Sequence, residues 1–309
     1  MASYLVTGGA GFIGSHIVKA LVEKNEDVRV LDNFSTGKRE NIVPFLDKIE
    51  LIEGDVRSYH IVREAVDGVD FVLHQAALPS VPRSIRDPVT TNEVNVTGTI
   101  HVLDAAKDAH VKRVVFASSS SIYGDLGVLL KTEDMLPRPL SPYAVSKLAG
   151  EKYCQAFTQL YGLDTVCLRY FNVFGQHQDP TSQYSAVIPK FIKDMKNKES
   201  PKIYGDGEQS RDFTHVGNVV QANLIACTNS SKDIIGEVIN IACGKRITIN
   251  QLVKSINDIL STNIQPIYTE PRPGDVRHSL ANIGKAQQFL SYKVIVAFHE
   301  GLREVIDAF

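Results

Sequence analysis

Two residues of this chain stand at a spacing that can do acid–base chemistry: Tyr143 and Lys147, in Ser141-Pro142-Tyr143-Ala144-Val145-Ser146-Lys147. Ser141 suits a helix N-cap and Pro142 the first helical turn, so the segment reads as a helix start. Residues four apart then share one helical face. A free phenol titrates at about 10; a neighbouring ammonium favours phenolate and draws Tyr143 toward use as a base near neutral pH. The same spacing occurs by chance on many helices. A second candidate is the hydroxyl run Ser118-Ser119-Ser120-Ser121-Ile122-Tyr123-Gly124, which follows apolar Val114-Val115-Phe116. Such runs are usually plain turn chemistry, but at the carboxyl end of a central strand they face the ligand crevice of a parallel sheet.

A third candidate lies near the start. Thr7-Gly8-Gly9-Ala10-Gly11-Phe12-Ile13-Gly14 sits between an apolar strand and a helical pattern. A dinucleotide pyrophosphate rests on a helix N-terminus at such a turn, and glycine is needed because a Cβ blocks the turn, the phosphate or the packing of helix on strand. Glycines alone also make ordinary turns. Here Asp32 ends the next strand, at the distance where an acid meets the adenosine ribose. It accepts ribose hydrogen bonds and repels a 2′-phosphate, which favours NAD over NADP, and a positive nicotinamide ring adds to the pull of Lys147 on Tyr143. Gly54-Asp55-Val56 follows the third strand and either flanks the adenine or is a simple loop turn.

The elements that must hold these groups alternate in the first half. Strands are predicted at Ser3–Thr7, Val28–Asp32, Glu50–Glu53, Phe71–His74, Arg113–Ser118 and Thr165–Tyr170. Amphipathic helices are predicted at Ile13–Lys24, Ser58–Val66, Val94–His110 and Ser141–Tyr161. Alternation of this kind predicts an α/β fold: a Rossmann-like doubly wound parallel sheet with a smaller mixed α/β substrate lobe. Beyond Gly175 the rhythm loosens into Pro-, Gly- and polar-rich stretches, with a last sheet strand at Val238–Ala242. The dinucleotide-binding domain is expected over 1–175 with a return over about 212–244, interleaved with a lobe from 176–309.

Composition removes several function classes. A net charge of −2, with lysines and arginines scattered, gives no basis for nucleic-acid or anionic-membrane binding. The four cysteines form no CxxC pair and read as reduced small hydrophobes. The nine histidines form no HExxH pair, so no metal site is expected. No signal peptide and no transmembrane span are expected, which makes the cytoplasm the default.

Taken together, the glycine turn, the serine run and the tyrosine–lysine pair resemble the extended short-chain dehydrogenase/reductase family. Within it the chain is most similar to the UDP-hexose 4-epimerases, especially the UDP-N-acetylglucosamine 4-epimerases, over nearly its whole length. The resemblance implies a catalytic trio of Ser119, Tyr143 and Lys147. Around NAD it implies Gly8, Gly11, Phe12, Ile13, Gly14, Asp32, Asn33, Ser35, Thr36, Gly37, Asp55, Val56, Gln75, Ala76, Ala77, Asn95, Tyr170 and Phe171, with Tyr143 and Lys147. For the UDP-sugar it implies Ser80, Ser120 and Ser121 near the sugar, Asn172, Arg211 and Arg272 on the diphosphate, and Val187, Ile188, Tyr204 and Asp275 around uridine. Either arginine, taken alone, reads equally as half of a surface salt bridge.

Related dehydratases and decarboxylases carry Asp or Glu where Ser119, Ser120 and Ser121 stand, so the resemblance favours oxidation at C4 and re-reduction on the other face, with NAD retained throughout. Ser279 stands where the family places a gatekeeper beside the C2 substituent; its small size implies UDP-GlcNAc/UDP-GalNAc interconversion. Such a pocket need not reject the smaller UDP-Glc/UDP-Gal pair. Gly217-Asn218, Asn282 and Pro79 depart from the common pattern. The alternatives are a UDP-glucuronate 4-epimerase, with Arg83 meeting the sugar carboxylate, and a non-catalytic NAD-binding sensor. The resemblance also implies a homodimer in which the two long helices pack as a four-helix bundle.

Overall fold

The computed structural model describes residues 1–125, 127–178, 187–271 and 277–309. Its first half runs β1 (Ser3–Thr7), α1 (Phe12–Glu23), β2 (Asp27–Asp32), β3 (Glu50–Glu53), α2 (Tyr59–Val66), β4 (Phe71–His74), α3 (Val81–Arg86), α4 (Pro88–Asn92), α5 (Gly98–Asp108), β5 (Arg113–Ser119), β6 (Leu130–Lys131), α6 (Pro142–Tyr161) and β7 (Thr165–Tyr170). The second half runs β8 (Val173–Phe174), α7 (Val187–Lys196), β9 (Lys202–Tyr204), β10 (Ser210–Arg211), β11 (Thr214–His215), α8 (Val216–Thr228), β12 (Val238–Ile241), β13 (Ile247–Thr248), α9 (Ile249–Leu260), β14 (Ile267–Thr269), β15 (Leu280–Ala281), α10 (Gly284–Leu290) and α11 (Phe298–Ala308).

Seven strands make one sheet in the order β12-β7-β5-β4-β1-β2-β3, every pair parallel. A parallel sheet is covered on both faces, so its central strands are apolar throughout rather than alternating; the first six residues of β5 and all of β7 are buried. Alternate residues feed two cores. Val115 and Ala117 join α1, α8 and α10 on one face, whereas Val114 and Phe116 join α2, α5 and α6 on the other. A separate apolar cluster joins α7, α9 and α11 through Phe191, Leu252 and Leu302. Strand order turns back between β1 and β4, and a crevice for ligands forms at such a switch point.

The observed elements differ from the expected ones chiefly at one helix. The segment expected over Val94–His110 is helical from Pro88, passes through a wide π turn over Glu93–Thr97, and continues as α5. Asp87 opens it, its side chain accepting from the Thr90 amide at 3.0 Å. The π turn escapes a reading tuned to 3.6-residue periodicity because it shifts the phase by one residue. Helix α6 matches expectation: Ser141 caps the Ala144 amide at 3.2 Å, and Gly162 closes it at φ +69°. The free cysteines are packed as hydrophobes, with Cys154, Cys167 and Cys227 buried and Cys243 half-buried. Among the described residues no helix is long and apolar enough to cross a membrane.

Candidate active site

The glycine turn makes close packing its purpose. Gly8, at φ +69°, lies against β4, and a Cβ on it would fall 2.7 Å from the Ala76 nitrogen. A Cβ on Gly14 would fall 2.1 Å from the Gly8 carbonyl oxygen. Gly11 begins α1 with no side-chain cap, leaving the first-turn amides to bind an anion. The groove here is lined by Gly8, Gly11, Phe12, Ile13, Gly14, Asp32, Asn33, Ser35, Thr36, Asp55, Val56, Gln75, Ala76, Ala77, Tyr143, Lys147 and Tyr170. Those residue types in that cradle fit a dinucleotide.

Three residues expected beside the cofactor do not line the groove. Gly37 packs on Ala10. Phe171 is fully buried with Tyr123, Ala242 and Ala281. Asn95, in the π turn, is a clamp: its Oδ1 accepts from the Leu78 amide at 2.7 Å, and its Nδ2 donates to Ser146 Oγ at 3.0 Å. It thereby ties the loop after β4 to α6.

Asp32 is buried, its carboxylate accepting from the amides of Ala10 (2.9 Å) and Phe34 (2.8 Å). Burial raises its pKa and those backbone donors oppose the rise. Across the groove, Arg57 and Asn33 grip Asp55 at 2.7 and 2.8 Å, and the guanidinium holds that carboxyl down at about 2. A buried histidine that sequence reasoning passed over joins two walls. Thr99 donates to the Asn95 carbonyl, so His74 Nε2 donates to Thr99 and Nδ1 accepts from the Thr7 hydroxyl at 2.7 Å. Burial brings His74 down to about 3, keeping the imidazole neutral.

Beside this groove lies a cavity of about 600 Å3 lined by Ser119, Ser120, Ser121, Tyr143, Tyr170, Asn172, Arg211 and Ser279, together with Lys131 and Tyr123. Tyr143 and Lys147 share the inner face of α6. That helix sits close on β5 because Gly150 faces Phe116, where a Cβ would come within 2.3 Å of the ring. Ser121 donates to Ser119 Oγ from both its amide (3.2 Å) and its hydroxyl (2.9 Å), so Ser119 does not spend its own proton on Ser121.

Burial raises the Tyr143 phenol, and Ser119 works against that rise. Lys147 donates to the Ala117 carbonyl at 2.8 Å, and burial brings it down to about 8, opposed by Cys154 and Glu151. The fixed charge behind it is Glu151, one turn further along α6. Glu151 accepts from Arg169 Nε and Nη2, both at 2.8 Å, and from Ser118 Oγ at 2.5 Å.

Asn172, Val173 and Arg211 line this cavity and also a second, of about 270 Å3, with Val187, Ile188 and Tyr204. The junction is built around Asp212, whose fully buried carboxylate accepts from the amides of Cys243, Gly244 and Ala281. Burial pushes that carboxyl up to about 6. Asn218 uses both ends of its amide to fix the loop at Ile295 and Val296, which an acid could not do. Asn282 accepts from the Gly284 amide, and Pro79 lines the cofactor groove. Ser80 caps α3, its hydroxyl accepting from the Arg83 amide, and lines neither cavity. Arg83 does not line the larger cavity either, whereas Lys131 does. Arg272 and Asp275 lie outside the described residues.

Residues 4–242 match the NAD dependent epimerase/dehydratase family. The chain is 34% identical over 309 residues to the UDP-glucose 4-epimerase of Mycolicibacterium smegmatis, covering 99% of this chain and 97% of that protein. The UDP-N-acetylglucosamine 4-epimerase of Methanobrevibacter ruminantium M1, solved with UDP-N-acetylmuramic acid, superposes with a TM-score of 0.94 at 42% identity, covering 99% and 97% of the two chains. The UDP-glucuronic acid 4-epimerase of Bacillus cereus, solved with UDP-glucuronic acid and NAD, gives a TM-score of 0.91 at 32% identity, covering 99% and 98%. The chain belongs to the NAD dependent epimerase/dehydratase family and, within it, groups with the UDP-sugar 4-epimerases.

Proposed function

We propose that the enzyme interconverts UDP-GlcNAc and UDP-GalNAc through a 4-keto sugar, with the UDP-Glc/UDP-Gal pair as further substrates. One observation carries this reading: a single cavity beside the dinucleotide groove is walled by Ser119, Ser120 and Ser121, by Tyr143, and by the small side chain of Ser279. No carboxylate stands among the described residues of that wall, which favours epimerisation over dehydration or decarboxylation.

The glycine turn, Asp32 and Lys147 hold the dinucleotide. Bound NAD supplies the hydride acceptor at C4 and, once reduced, the donor that returns it. Tyr143 takes the C4 hydroxyl proton, and Ser119 hydrogen-bonds the same oxygen. Arg211 and Asn172, at the junction of the two cavities, anchor the diphosphate, while Val187, Ile188 and Tyr204 face the base. Firm hold at the nucleotide end and a roomy sugar end let the keto sugar present its other face. Tyr143 then returns the proton.

Ser279→Tyr tests the sugar assignment. A tyrosine there fills the space an acetamido group needs. It is expected to lower kcat/KM for UDP-GlcNAc on the order of 100-fold, while UDP-Glc stays within about 5-fold. Equal retention of both activities would remove Ser279 as the gate.

A further inference from the structure

The cavity assigned to the sugar contains a cation that 4-epimerisation of a neutral hexose does not use. Among its described lining residues there are two cations, Arg211 and Lys131, and no carboxylate. Arg211 also lines the cavity assigned to the base and so lies between the two. Lys131 lines the larger one alone, in company with Ser119, Tyr143 and Ser279.

Strand geometry puts it there. β6 pairs with β15 in parallel, Lys131 opposite Ala281, so those two side chains point to one face. Ser279, two residues before Ala281, lines the same cavity as Lys131. Leu130 points outward and is 41% exposed, whereas Lys131 is 2% exposed. The Lys131 carbonyl accepts from the Asn282 amide at 2.9 Å and from Asn240 Nδ2 at 3.2 Å, which fixes the short strand. Its ammonium makes no hydrogen bond or salt bridge with any described residue; Asp125 on an exposed loop acts on it only at a distance.

An ammonium that faces a cavity with no carboxylate among its described lining residues is placed to meet a ligand's negative charge. Hydroxyls of a neutral sugar compensate the ammonium weakly, and a carboxylate does so with a charge-assisted bond. Building on the UDP-sugar reading above, we propose that Lys131 is a specificity-determining residue: it receives a carboxylate carried by the sugar and admits acidic UDP-sugars alongside neutral ones.

Lys131→Met keeps the stem and removes the charge. With the holoenzyme, kcat/KM for UDP-glucuronate and for UDP-GlcNAc would be measured by product chromatography, and both dissociation constants by calorimetry. UDP-glucuronate is expected to lose about 10–100-fold in both quantities, in line with one charged hydrogen bond, while UDP-GlcNAc stays within about 3-fold. Parallel losses for both sugars, or no change for the acid, would overturn the proposal. The unmutated enzyme gives a separate check: UDP-glucuronate must bind at least as tightly as UDP-Glc, and with a steeper weakening in salt. An acid bound more weakly, or no more salt-sensitive than UDP-Glc, would also overturn it. A wild-type enzyme that turns over no UDP-sugar refutes the functional reading instead, and calorimetry still decides the role of Lys131.

Discussion

Tyr143→Phe is expected to lower kcat for epimerisation by about 10²–10⁴-fold, the usual worth of a positioned general acid–base group. KM should move little, because the phenol is one polar contact among many that hold a UDP-sugar. The fold should be unaffected, since Phe occupies the same buried volume. The structure sharpens how this residue works. Burial raises the phenol and Ser119 is the side chain in the chain itself that opposes the rise, so the chain alone does not hold a phenolate ready. The positive ring of bound NAD+ then has to contribute to ionisation, which predicts that a phenolate ultraviolet signal titrates at lower pH in the NAD+-loaded than in the stripped protein. A Tyr143→Phe enzyme retaining more than about a tenth of kcat would show that another group moves the proton.

Glu151→Gln should be the most destabilising conservative change near the site. The carboxylate has no exposed surface and accepts two hydrogen bonds from Arg169 and one from Ser118. An amide keeps the shape, turns one acceptor into a donor facing the guanidinium, and strands the Arg169 charge in the core. Breaking a buried ion pair from one side costs roughly 3–5 kcal/mol. Urea unfolding should show a loss of that size at unchanged m-value. A loss below about 1 kcal/mol would mean that Arg169 finds other acceptors. Activity should fall further than stability alone explains, because Glu151 lies one helical turn from Lys147 and fixes Ser118, the residue before Ser119.

Much of this site was legible in the sequence because local rules produce it. The glycine turn, the Ser141 cap, the tyrosine–lysine face and the strand that ends in serines are all short-range patterns. They placed the groove, the sheet and α6 to within a residue or two. What escaped is what depends on distant contacts. The π turn breaks helical periodicity. Asn95 reads as a cofactor contact until its buried side chain is seen tying Leu78 to Ser146. Lys131 lies on a two-residue strand whose pairing partner among the described residues is about 150 residues away, so no periodicity marks it as inward-facing. Asp212 turns its carboxylate inward to backbone amides from two other segments, contacts that no local pattern announces. Spacing on one face puts Lys147 on the same side of α6 as Tyr143. A shared face does not fix where a four-carbon stem ends, and here it ends on the Ala117 carbonyl.

The central claim is that the enzyme inverts C4 of UDP-GlcNAc with a cofactor it keeps. The most direct measurement is incubation of the purified protein, with no added nucleotide, with UDP-GlcNAc and separately with UDP-Glc, the products being resolved by chromatography. Conversion of UDP-GlcNAc to UDP-GalNAc, with no net accumulation of NADH, is the predicted result. Turnover of UDP-Glc alone would contradict the N-acetyl assignment, and no conversion of either sugar even after NAD is added would contradict the account of the site.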